Sequence, residues 1–438
     1  MLSKLKSFFL SDSYSRKLIF IGIAFRILFF LLFFSVTVYP MSNNFKFLTS
    51  ILGNFAFEHY TGERTFGYPL LMAFCLNNNY LLAFVQLFLG VITWVFWYKT
   101  LLNLRFNKKV SFYLTLFLGS FIHIFLYETS VMLETAALLV IGWIFYLLSN
   151  GYLDKSNRNT DWLMALLVAY LIMLKPFFVY VPFLVYGFSV LKDFRFKTFI
   201  SHKIIIVLSG LFFYFGWSYV NKLHTGHFVS STFLGLNLAQ NCVHFAENTT
   251  EEYQELGKLY AKHREKAIQD NKNTAMSIWY AKDEIKQLIN IDYFPDYSAY
   301  LGEYAKATIA LNQEQYIKQV VTVSWVDFWK ADVYWKFIHP KSSFFKSTLQ
   351  YIWSVQEKIL IGLKVIFIGL MPWYIILFIR KRKVTFELVV VTFILATSVL
   401  QAVVTYGTNS RYSYPFEYLM IIVVVMTFFR SWRKSKLG

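Results

Sequence analysis

Residues 18–38 read LIFIGIAFRILFFLLFFSVTV, a long apolar run with one charge, Arg26, and with Arg16 and Lys17 just before it. A run of that length crosses a bilayer as a helix, because a helix closes its own backbone hydrogen bonds where no water can. It is of spanning length and lacks a small-residue cleavage site, so it reads as a span and not a signal peptide. The same pattern, apolar runs between short Lys/Arg-rich loops, recurs along the chain. One soluble core cannot hide that many runs. The composition agrees: 438 residues, 57% hydrophobic and 16% charged, with a mean hydropathy of +0.46. The net charge of +18 does not mark a nucleic-acid partner. Many of the cations sit at run ends, as in Lys4, Lys6, Arg105, Lys108, Lys109, Arg380 to Lys383 and Arg430 to Lys436. There they report topology and attract anionic lipid heads. Cys75 and Cys242 make neither a disulfide framework nor a metal motif.

The basic loops predict an all-α polytopic membrane protein with both termini cytoplasmic. The expected spans are 18–38, 80–101, 110–127, 132–149, 162–174, 177–191, 204–220, 358–379, 386–405 and 415–429, about ten helices. A stretch at 66–76 is too short to cross and reads as re-entrant. The organisation is therefore an N-terminal transmembrane bundle, 1–220, with a first outer loop at 39–65. An extracytoplasmic segment follows at 221–353, and C-terminal transmembrane helices occupy 354–438. In 221–353 apolar residues recur at three and four, so its helices are amphipathic. Its aromatic stretch, Trp325 to Phe337, is expected to be a helix that lies in the interface against the membrane plane and roofs the cavity.

On this topology the unusual polar residues gather on the outer side. The first outer loop offers Asn43, Asn44, Glu58, His59, Glu63 and Arg64. Glu128 and Glu134 flank the next outer turn. Lys175 ends the fifth span, and Arg411, Tyr412 and Glu417 sit at the last outer turn. Singly, Lys175 and Arg411 read as snorkelling side chains and Glu58 and Glu63 as solvated loop charges. Glu134 opens a charge-free apolar run, where an acid is functional by default. Together, cations and carboxylates at one membrane face suit an anionic lipid-linked substrate. Cations hold its phosphate, and a carboxylate takes a proton from an attacking hydroxyl. Arg26 lies deeper and reads as a structural partner for another helix, with Glu134 as one candidate. No spacing calls for a metal, and none is expected.

The segment Gly62-Glu63-Arg64-Thr65-Phe66-Gly67-Tyr68-Pro69-Leu70-Leu71-Met72-Ala73 resembles the Arg-x-x-Gly-Tyr-Pro signature of GT-C membrane glycosyltransferases. The similar branch is that of the protein O-mannosyltransferases and the lipid A aminoarabinose transferase. Arg26, Glu134, Lys175-Pro176, Trp217 to Asn221 with Thr225 to Phe228, and Gly407 to Pro415 match family features in order. The resemblance implies a polyprenyl-phosphate-linked sugar as donor, with a glycan, lipid or protein hydroxyl as acceptor and no cofactor. It implies Arg64, Tyr68, Lys175, Arg411 and Tyr412 as substrate-binding residues. The family places an Asp early in the first outer loop as base, where this chain has Asn43 and Asn44. An amide cannot take the proton, so the role passes to Glu58 or Glu63, with Glu134 in support. The other readings are a polysaccharide polymerase or ligase, a lipid-carrier flippase, or a non-catalytic scaffold of the same fold. Abundant Lys, Asn, Phe, Ile and Tyr favour a bacterial source, hence the bacterial inner membrane.

Overall fold

A computed structural model describes residues 8–33, 36–39, 42, 45, 48–49, 51–52, 56–154, 157–199, 201–340, 342–407 and 410–435. The described chain is all-helical, with 79% of it helix and no strand. Among the described residues, five helices are long and apolar enough to cross a membrane: Asn79–Asn103, Ile204–Thr225, Ser343–Lys381, Phe386–Val404 and Ser410–Arg430. The pair Lys108–Gly119 and Ile122–Glu128 passes the same test together, bent by 64°. Glu134–Ser149 and Pro176–Lys192 are apolar but shorter. The helix Ser13–Phe33 carries Arg16, Lys17 and Arg26, yet Phe20, Phe25, Ile27, Leu28 and Leu31 stand exposed on it. Apolar side chains facing outward in this number suit lipid rather than water.

The expected stretch 66–76 is an eight-residue helix, Gly67–Phe74. Asn78 then caps the helix Asn79–Asn103, its side chain accepting from Tyr80 and Leu81 N–H at 2.9 and 3.1 Å. The expected straight span at 110–127 is instead broken at Ser120 and Phe121. Gln356 enters the break: it accepts from Ile122 N–H at 2.8 Å and donates to Ser120 O at 2.9 Å. Backbone groups freed by a bend in an apolar bundle need such a partner. Ser343–Lys381 runs 39 residues, about 58 Å at 1.5 Å per residue. That exceeds a hydrocarbon core of roughly 30 Å. Residue 353, the expected end of the polar segment, therefore lies inside a continuous helix.

The polar segment has its own core. Leu236, Cys242, Phe245, Tyr260, Ile278, Ile285, Tyr297, Leu301 and Tyr304 are buried together, on helices that include Phe233–Gln240, Gln254–Gln269 and Phe294–Leu311. The aromatic stretch is not one flat helix. Only Trp325–Trp329 and the short turn Trp335–Phe337 are helical. It packs on the bundle nonetheless: Phe328 and Trp329 join the bundle core, and Trp325 Nε1 donates to Ser398 at 3.1 Å.

Candidate functional site: three cations around a buried carboxylate

Arg64 is held by its backbone neighbours. The carbonyls of Thr61, Gly62 and Glu63 accept in turn from Thr232 Oγ1 at 2.7 Å, Thr232 N–H at 3.0 Å and Ser231 Oγ at 2.8 Å. Tyr60 OH donates to Asn221. The loop end is thus laced to the chain entering the polar segment. The Arg64 guanidinium lies between two rings, 5.1 Å from Phe45 and 4.9 Å from Phe233, so its direction is set in advance. Burial draws Arg64 down to about 10, with Arg411 adding to the effect and Glu63 and Glu134 opposing it. It remains a cation at neutral pH.

Gly67 explains why Arg64 and Lys175 meet. A Cβ on Gly67 would lie 2.4 Å from Met173 C and 2.6 Å from Leu174 N. Only a glycine lets the short helix abut that backbone. Tyr170 OH donates to Gly67 O at 3.2 Å across the same contact. The next residue is Lys175. Pro176 disfavours helical geometry there, and Lys175 is extended, φ −156° and ψ 113°. Lys175 Nζ is therefore turned off the helix end, onto the Tyr412 ring at 2.9 Å from its centroid. Arg411 stands 5.2 Å from the same ring. The charges of Arg411, Glu134 and Arg64 all act on Lys175.

Glu134 is the first residue of the helix Glu134–Ser149 and is buried. Its Oε2 has no hydrogen-bond partner among the described residues, and neither does Arg64 Nε. Its charge reaches Tyr39, Tyr68 and Tyr127 as well as Arg64 and Lys175. A backbone zipper brings it there. Thr37 N–H bonds Thr129 O at 3.0 Å, and Val131 N–H bonds Thr37 O at 2.9 Å. Above it, the Tyr39 ring meets Tyr334 and Phe337 at 5.9 and 5.2 Å.

Arg64, Lys175, Arg411, Tyr412 and Glu134 thus come together from four separate parts of the chain. Tyr68 sits behind them, fully buried, with its OH donating to Gln86 at 2.9 Å. Glu63 flanks Arg64 and accepts from Thr61 at 3.2 Å. Arg64 favours its ionised form, but burial is the larger effect and pushes the carboxyl up. Glu58 is exposed beside His59, and no described contact joins it to the cluster. Asn43 and Asn44 lie outside the described residues.

The sequence reading gave Arg26 a partner on another helix without settling which, and did not assemble a second ion cluster of the bundle. Arg26 pairs with Glu128 and not Glu134: Nε to Oε2 at 2.8 Å and Nη2 to Oε1 at 2.6 Å. Glu417 receives Lys364 and His123, each at 2.7 Å, and Lys364 also bonds Ser413 and Lys330 O at 2.8 Å. That ties down the turn carrying Arg411. Lys364 and His123 lay within runs read only as apolar, so their sole signal was an ionisable group inside the run.

No known family matches the chain, and no curated protein or solved structure resembles it.

Proposed function

We propose that the chain is a GT-C-like membrane glycosyltransferase of about ten spans, with the 221–353 segment outside the cytoplasm. It moves a sugar from a polyprenyl-phosphate carrier to a hydroxyl of a glycan, lipid or protein. The observation that supports this most is the convergence of Arg64 and Lys175 on Glu134, with Arg411 beside both cations. With Glu134 and Glu63 both ionised, the five groups carry a net charge of +1. A sugar phosphodiester carries one negative charge, and the monoester it leaves approaches two. The cluster therefore stabilises the leaving phosphate more than the bound donor, which is the condition for lowering the barrier. The acceptor oxygen attacks the anomeric carbon, the carbon–oxygen bond to phosphate breaks, and a carboxylate takes the hydroxyl proton. Glu63, raised by burial toward the pH at which it works, is the better-placed base. Glu134 holds the cations in place.

The test is binding of polyprenyl phosphate to the purified full chain, followed by transfer from a polyprenyl-phosphate sugar. Lys175→Ala with Arg411→Ala should abolish carrier binding. Glu63→Gln and Glu134→Gln should bind carrier, with the true base losing about 10²–10⁴-fold in transfer. Unchanged carrier affinity in the double variant would refute the site. Carrier binding without any transfer would leave a scaffold or a flippase.

A further inference from the structure

The helix Asn79–Asn103 ends in a tight turn. Arg105 N–H reaches Leu102 O at 3.0 Å and Phe106 N–H reaches Leu101 O at 3.1 Å, the paired closure of a Schellman motif. Arg105 occupies its left-handed position, φ +68°, where glycine costs least. Between this turn and the end of the last helix lies a cavity of about 250 Å³. Leu104, Arg105, Phe106, Met426, Phe429 and Arg430 line it. It is divided in character: two guanidiniums, and four apolar side chains of which Phe106 and Phe429 meet at 5.1 Å.

We propose that this cavity binds the phosphate headgroup of an anionic phospholipid. The charges fit. Arg430 Nη1 contacts the buried Glu387, but a guanidinium has five N–H donors in a fixed fork, so one carboxylate contact leaves donors for a second anion. Arg105 is exposed, as are Lys108 and Lys109 just after it. The size fits. The space is below the roughly 300–1,000 Å³ of pockets that swallow whole small molecules, so it takes a headgroup and leaves the acyl chains outside. Phe428, 59% exposed on the same helix end, offers them a surface. The position fits, because the end of a membrane span lies at headgroup depth, and basic pockets between spans there recognise anionic lipid heads. The inference rests on Ser410–Arg430 being a span and is independent of the transfer reaction.

The test uses the delipidated full chain in neutral detergent, with phosphatidylglycerol, phosphatidylcholine and inorganic phosphate as separate probes. Native mass spectrometry counts bound lipid, and thermal unfolding reads its effect. Phosphatidylglycerol should bind about tenfold or more tightly than phosphatidylcholine and raise the Tm. Arg105→Glu should abolish both effects. Arg105→Gly should also lose the lipid, yet keep or raise the lipid-free Tm, because glycine suits the left-handed turn. That separates lost lipid from damaged fold. Equal binding of the two lipids, full phosphatidylglycerol binding by Arg105→Glu, or the same Tm rise with inorganic phosphate alone would each overturn the proposal.

Discussion

Replacing Arg26 by Met should unfold this protein far more easily than its single hydrogen-bonded pair suggests. Arg26 and Glu128 meet through two short contacts, 2.8 and 2.6 Å, with side chains only 3% and 0% exposed. Arg26 also lies 4.7 Å from the Trp94 ring. Removing one partner strands the other charge in a dry bundle, which costs about 3–5 kcal/mol. Removing both strands nothing, and an apolar pair of similar volume is often neutral. The assay is reversible unfolding of four proteins in mixed detergent–lipid micelles: wild type, Arg26→Met, Glu128→Met and the double variant. Each single variant should lose about 3–5 kcal/mol, and the double variant less than either single. Ordinary polar contacts between membrane helices couple by only about 0.6 kcal/mol, and at most about 1.7. A coupling above roughly 2 kcal/mol therefore requires two charges that neutralise each other. A coupling below about 1 kcal/mol, or a double variant worse than both singles, would refute the reasoning.

Other outcomes follow from the same geometry. Gly90→Ala would set its Cβ 1.8 Å from Glu128 Oε1 and 2.5 Å from Arg26 Nη2; it should cost about 1–3 kcal/mol in the same unfolding assay. Gly67→Ala would push on the Met173–Leu174 backbone, so it should weaken carrier-phosphate binding through Lys175 while Tyr68→Phe, which keeps the ring, weakens it less. Burial raises the Glu63 carboxyl, so the folded chain holds that proton more tightly than the unfolded one. Its contribution is present at low pH and lost as pH rises through the folded value. Glu63→Gln should flatten that decline without lowering stability at pH 7, as thermal unfolding against pH will read. For sidedness, Lys272→Cys should react with an impermeant reagent from outside and Lys383→Cys only from the cytoplasm; Lys272 is exposed and both native thiols are buried.

The all-helical character of the chain and its long apolar helices were legible in the sequence, for local reasons. Apolar run length and the cap at Asn78 depend on a few neighbouring residues. Pro176 disfavours helical backbone at Lys175 just before it, another local signal. Arg64, Lys175, Arg411 and Glu134 could be grouped because a membrane sorts polar residues by depth, reducing a three-dimensional search to one coordinate. Depth says nothing about which residues meet at a given level. Arg26 took Glu128 over Glu134, a choice made across 102 residues of chain, and His123 found Glu417 across 294. The 64° bend falls at a Gly119–Ser120 pair, a local kink signal, but the Gln356 that satisfies its backbone comes from 234 residues away. Such pairings follow from close packing, as where Gly67 meets the Met173 backbone, and packing is a property of two surfaces that no single run contains.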